Sequence, residues 1–384
     1  MGQYWKLINI DQRQSVSWGK LCQVIFAPTL INLVWLLAMP RKPKPYDRSN
    51  ERGRSKDPRD LGALNLPFDV LAAIFEAIGS ENIVDAAYLA LTNTFLRAIG
   101  QKRIYNELAS YYAAWYLERI ICVGDYLEGD DLPPDILKED EKESLSGDIS
   151  DTNSDDDSTS NHSDVPHGAR LYHAADAETN RSSRTIGHWR KRFAAKGKLS
   201  KAERRELEDL IRADFSWDGR QETEWILCNW TRAEYVRNGG VARLTGSEID
   251  GPMTSADPSL GHVLLTQICW SSDDSTSVNY RGPLHRGRWA GHYIAITTMD
   301  QLTENVRFAD KEKWVDVTEE VVAQVLEIWR AEHPEVLVPH LRLKGDVSDS
   351  TPVSTDEEDR VQSEEKAAGK GALAGGEVSG DREE

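Results

Sequence analysis

Few residues in this chain have the type and spacing to do chemistry. His285 and His292 stand seven apart around Arg286, Gly287, Arg288 and Trp289. Two imidazoles, two guanidiniums and an indole could hold an anion or small ligand beneath the Trp289 ring. The same residues also read as strand, Gly-rich turn and strand, with the arginines in solvent and the tryptophan packed. Asp273 and Asp274 are adjacent carboxylates in a Ser-rich run, the composition of a turn. The sequence has no Gly-rich phosphate loop, nucleophile elbow or His-Glu-x-x-His helix. Cys22, Cys122, Cys228 and Cys269 lie far apart, so neither a short-spaced zinc site nor a disulfide scaffold is expected. No catalytic residue, metal or cofactor follows from these features, and the chain is not expected to be an enzyme.

Charge divides the 384 residues sharply. The net charge is −18, but residues 128–164 carry 14 acids to 2 bases and residues 345–384 carry 12 acids to 4 bases. The rest is close to neutral. Both acidic stretches are poor in apolar residues and are expected to be disordered. Ser154 and Thr355, set among acids, would suit an acidophilic kinase; the alternative is that the stretches are solubilising spacers. Residues 181–206 reverse the sign, with 10 bases to 2 acids. Arg190, Lys191 and Arg192 between Trp189 and Phe193 could touch nucleic acid, direct nuclear import, or form a solvated helix face. The near-neutral remainder excludes a broadly basic surface, and no nucleic-acid partner is expected. Residues 21–39 are apolar enough to suggest a membrane span, but Gln23, Pro28, Thr29 and Asn32 break the run, which favours burial in a core.

Periodicity supplies the elements. Residues 4–10 read as a strand and 17–39 as one or two helices. Residues 40–60, with eight bases and several prolines, read as an exposed linker. Leu66, Val70, Leu71, Ile74, Phe75 and Ile78 form one helical stripe, with Pro67 in the first turn and Gly79 as a stop. Asn82 opens a second helix, and a third runs from Thr94 to Ile104. Ser200 and Glu203 form a capping box for a helix through Leu207, Leu210 and Ile211. Residues 225–230, 235–237, 262–270 and 292–298 read as strands, and 317–331 as a helix capped by Asp316 and Glu319.

Leu66-Pro67-Phe68-Asp69-Val70-Leu71, then Ile74-Phe75, then Leu89-Ala90-Leu91-Thr92-Asn93-Thr94-Phe95 resembles an F-box. Asn93, Thr94 and Phe95 replace the usual closing Cys–basic–basic–Trp. The resemblance implies that Leu66, Pro67, Val70, Leu71, Ile74 and Phe75 bind a Skp-type adaptor, which carries a cullin. The chain would then be a substrate receptor for an unidentified protein client in a ubiquitin ligase of the cytoplasm or nucleus. A second resemblance covers more of the chain. Residues 1–11, 121–128 with 131–133, 225–231 with 234–236, and 268–273 with 284–287 and 289–292, the first beginning Met1-Gly2-Gln3-Tyr4-Trp5-Lys6, are similar to an uncharacterised family of fungal, basidiomycete-type proteins, many with an F-box-like segment near the N-terminus. That similarity implies an architecture and attaches no reaction to it.

The expected fold class is α+β: a small N-terminal three-helix F-box-like bundle joined to a Trp-rich mixed α/β domain, with a disordered acidic linker and tail. The expected divisions are 1–60, a strand, apolar helical segment and basic linker; 61–108, the bundle; and 109–127, a helical and aromatic segment on the C-terminal domain. They continue with 128–180, the acidic linker; 181–214, a basic helical segment; 215–344, the mixed domain; and 345–384, the tail. His285, Arg286, Arg288, Trp289 and His292 are the candidate ligand or client contacts. The alternatives are a non-catalytic interaction protein with its helices buried internally, or a ligand-binding protein or enzyme using residues 285–292.

Overall fold

Residues 118–124, Glu-Arg-Ile-Ile-Cys-Val-Gly, put apolar side chains on both faces of an extended strand, and such a strand needs cover above, below and on both edges. A computed structural model of the chain shows where that cover comes from. It describes residues 2–27, 30–43, 58–128, 131–142, 171–172, 175, 177–178, 199–304 and 314–333. The elements in chain order are β1 (Tyr4–Asn9), β2 (Gln14–Lys20), α1 (Leu21–Val24), α2 (Ile31–Leu37), α3 (Phe68–Ala77), α4 (Ile83–Thr92), α5 (Thr94–Tyr112) and β3 (Glu118–Gly124). There follow β4 (Ala177–Glu178), α6 (Lys201–Leu210), β5 (Trp225–Asn229), β6 (Glu234–Arg237), α7 (Asn238–Thr245), β7 (Ile249–Asp250) and β8 (Met253–Thr254). The last are α8 (Leu260–Ile268), β9 (Cys269–Trp270), β10 (His292–Thr298), α9 (Met299–Glu304), β11 (Val315–Asp316) and α10 (Thr318–Glu332).

The fold is mixed α/β, and β3 is the middle of its main sheet. On one edge β3 pairs antiparallel with β1, from Trp5↔Gly124 to Asn9↔Ile120. On the other edge β10 pairs with its first half, at His292↔Ile120 and Ile294↔Glu118, and β9 runs parallel to its second half at Cys122↔Cys269. The sheet order is β11-β6-β5-β10-β3-β1-β2-β4, with β9 as a branch on β3. The N-terminal strands and the 215–344 block therefore build one sheet. One face carries Leu7, Cys122, Leu227 and Ile296 against α2, α7, α8 and α10. The opposite face buries Ile8, Ile121 and Val123 under Ile136, Leu137 and Leu171. Four tryptophans, Trp5, Trp115, Trp225 and Trp289, are sealed in the interior.

A second core gathers Leu71 and Phe75 from α3, Ile83, Val84, Ala87 and Ala90 from α4, Leu96, Ile99 and Ile104 from α5, and Leu207 and Leu210 from α6. The helices cross closely because Gly100 leaves room for the Phe75 ring. A Cβ at Gly100 would stand 2.5 Å from Phe75 Cε1 and 3.0 Å from Ala90 Cβ. Asn93 caps α5, its side chain accepting from the Phe95 N–H at 2.7 Å. The α5 helix then continues through the cluster to the sheet. Tyr105 Oη donates to the Pro40 carbonyl at 2.9 Å, and Tyr112 packs edge-on against Phe215.

Several expectations change. Residues 260–268 form a helix, α8, buried at every position, where a strand was expected over 262–270. A short run that is apolar all round carries no period to separate the two. Residues 14–20 pair with β1 as a strand, so the expected helical stretch begins only at Leu21. The expected three-helix bundle has a fourth member, α6, and its third helix runs to Tyr112 rather than Ile104. The acidic linker was expected to be disordered from residue 128, but 131–142 is anchored: Ile136 and Leu137 are buried and Glu141 pairs with Arg119 at 2.5 Å. Helix α10 lacks the expected Asp316–Glu319 pair. Asp316 accepts from the Thr318 N–H, while Glu319 pairs with Arg243. Gly79 does not end α3 in the left-handed conformation; the helix stops at Ala77 and Ile78 turns extended. Residues 44–57, 143–170, the Arg190 region and 334–384 lie outside the described residues.

The Phe75–Gly100 contact predicts that Gly100→Val destabilises the helical cluster by about 1–3 kcal/mol despite the better helix propensity of valine. Urea unfolding would measure it; an unchanged midpoint would show that the crossing has slack.

Candidate protein-docking site

The stripe singled out in the sequence divides into two groups. Leu71 and Phe75 are each 1% exposed and belong to the cluster core. Ile74 is half-buried at its edge. Leu66, Phe68 and Val70 are 38%, 58% and 44% exposed, and Pro67 beside them is exposed too. The expectation that all six residues from Leu66 to Phe75 contact a partner is thus corrected. Burial puts Leu71 and Phe75 in the core, while Leu66, Pro67 and Val70 stay exposed and Ile74 lies half-buried at the rim. Phe68, quoted in the motif but not chosen as a contact, joins them. Periodicity gave no sign of it, since Phe68, Leu71 and Phe75 share one helix face at i, i+3 and i+7, and only its place in the first turn leaves Phe68 uncovered.

Local structure holds this corner in place. The chain arrives through a 3-10 segment, Pro58–Leu64, and reaches Pro67 in an extended conformation. The Pro67 carbonyl accepts from the Val70 and Leu71 N–H groups, which starts α3. At the other end of α3, Arg103 Nη2 donates to the Ile78 carbonyl at 3.1 Å while Nη1 pairs with Glu107 at 2.8 Å. Glu107 also accepts from Ser80 Oγ at 2.9 Å. The α3–α4 turn is thereby tied to α5. On the far side α6 closes the cluster through Leu207 and Leu210, with Arg97 Nη1 3.5 Å from Glu206. Eight large apolar side chains stand exposed among the described residues, and three of them lie within Leu66–Val70.

The groups at 285–292 do not converge. Arg286 lies over the Trp270 ring at 4.8 Å and makes two hydrogen bonds to Asp131, at 2.6 and 2.5 Å. That contact holds the Asp131 carboxyl below the usual carboxylate range. Arg288 reaches Glu320 at 2.6 Å and Glu234 at 3.3 Å, and Trp289 Nε1 donates to the same Glu234 at 2.7 Å from a fully buried ring. His292 Nδ1 contacts Asn229 Nδ2 at 2.9 Å. Burial lowers the pKa of both His285 and His292. Arg286, Arg288, Trp289 and His292 are therefore engaged with structural partners, Arg288 and Trp289 sharing Glu234.

Two further constellations were not seen in the sequence. Ser259, His262 and Asp257 have the composition of a hydrolytic triad, with Ser259 Oγ 2.8 Å and Asp257 Oδ1 3.7 Å from the imidazole. Both distances are to Nδ1, where a relay needs one partner on each ring nitrogen. The Ser259 N–H also donates to Nδ1 at 3.0 Å, so the arrangement is a capping box at the start of α8. Beside the β1–β2 turn lies an open cleft of about 180 Å³, lined by Ile8, Ile10, Asp11, Arg13 and Glu141 among others. Its carboxylates are tied down: Arg119 holds Asp11 and Glu141 through both ends of its guanidinium, and the Glu141 pKa is lowered to about 2. Among the described residues no group of three or more His, Cys, Asp or Glu could hold a metal ion, and no helix is long and apolar enough to cross a membrane. Comparison with protein-family models, curated proteins and solved structures finds no match.

Burial pushes the His262 pKa down to about 3. The folded chain keeps this ring neutral, whereas the unfolded chain protonates it near the ordinary value of 6.5. Stability is therefore lost as pH falls through that window. The urea midpoint should drop between about pH 7 and 5, and His262→Gln should show a smaller drop whatever its absolute stability. An equal drop in both chains would assign the effect to other groups.

Proposed function

We propose that this chain is an F-box-like adaptor, a substrate receptor that docks on the Skp-type subunit of a cullin–RING ubiquitin ligase. The observation that carries the reading is the uncovered apolar corner Leu66, Pro67, Phe68 and Val70, set on a helical cluster whose own core is closed. A helix that has satisfied its own interior and still presents leucine, phenylalanine and valine to solvent has surface left for another protein. Each such side chain contributes about 1.5–3 kcal/mol when removed from water, and a few of them offset the cost of association. The F-box-like order of residues from Leu66 to Phe95 names the class of partner. The sheet and its helices would carry the contact for a protein client, in the cytoplasm or nucleus. In this reading the chain positions the client and the bound ligase transfers ubiquitin.

A second reading rests on Leu71 and Phe75. Because they are buried, the helices would serve this chain alone, as parts of an interaction protein with no ligase link. Substitution of the exposed residues separates the two. Phe68→Asp with Val70→Asp should change stability by about 0.5 kcal/mol or less for each site, because neither side chain is in the core. The adaptor reading expects this variant to keep its circular dichroism and thermal midpoint and to lose binding to a purified Skp-type adaptor. Retained binding would contradict it.

A further inference from the structure

The docking corner has an electrostatic side. At about 100° per residue, α3 places Val70, Ala73, Ile74 and Ala77 along one flank of its outer surface. Asp69 and Glu76, seven residues apart, lie on the opposite flank of that surface, and both are exposed. The acids continue around the corner with Glu81 and Asp85, also exposed. From residue 61 to residue 96 these four are the only charged side chains, with no lysine, arginine or histidine among them. On α3 itself, Asp69 and Glu76 thus set negative charge beside the apolar corner.

We propose that the partner of this corner presents an apolar groove with lysine or arginine along the side that meets Asp69 and Glu76. The inference rests on the adaptor reading and adds the chemistry of the partner's rim. Desolvating Leu66, Phe68 and Val70 requires a close, dry contact. An acidic rim on the partner would then face Asp69 and Glu76 across that contact and oppose it, whereas a basic one steers encounter and fixes which way α3 lies. A rim of this kind is partly exposed, so it acts mainly at low ionic strength; the screening length is about 10 Å at 0.1 M salt.

The test is a titration of a purified Skp-type adaptor with the full chain, at about 0.05 M and about 0.5 M salt. Asp69→Lys with Glu76→Lys should weaken binding about tenfold at the lower salt, and the deficit should shrink to within about twofold at the higher. Phe68→Asp with Val70→Asp should abolish binding at both. If the lysine variant binds as well as the unaltered chain, or better, while the Phe68/Val70 variant fails, the rim proposal is overturned and the docking corner stands. If the unaltered chain does not bind at either salt, the adaptor reading is overturned and this inference falls with it.

Discussion

The Phe75 ring sits where Gly100 has no side chain, and the character of the docking corner follows from that fit. With Phe75 and Leu71 turned inward, α3 locks onto α4 and α5 and closes a core of its own. The inward residues cannot also serve a partner. What remains is the start of the helix, where Leu66, Phe68 and Val70 lie beyond the reach of the packing beneath. Exposed apolar surface and core are thereby separated along one helix, and one can be altered without the other.

The connection to the rest of the molecule is equally direct. Helix α5 begins in the cluster at Asn93 and ends on the sheet, where Trp35 and Tyr112 each meet Phe215 edge to face. Six residues after its end, the chain enters β3, the central strand. No flexible tether separates the two cores along this route. Force or orientation imposed at α3 passes through one nineteen-residue helix into the strand on which β1, β9 and β10 pair. A receptor needs this kind of stiffness if it is to hold a client at a fixed distance from a docked partner.

Much of this was legible from residue types alone. The α3 stripe, the Ser200–Glu203 capping box, the strand at 225–229 and the helix of 318–332 each carry a clear period or cap, and each appears. Other features depended on distant partners. Residues 260–268 are apolar on every side, and only tertiary contacts decide that they coil. Tyr105 and Tyr112 extend α5 because Pro40 and Phe215 await them, from positions 65 residues earlier and 103 later. The pairing of Arg119 with Asp11 and Glu141 spans 108 and 22 residues, so nothing local announced that 131–142 would be held down. In α3 the apolar period located the helix, but it could not tell an inward side chain from an outward one until Gly100 and α6 were in place.

Hydrogen exchange of the full chain, followed by mass spectrometry with and without a purified Skp-type adaptor, tests the central claim most directly. The account predicts slowed exchange in peptides covering 64–78, with the amides of β3, β5 and β10 unchanged. Protection confined to the sheet, or none at 64–78 under saturating adaptor, would contradict it.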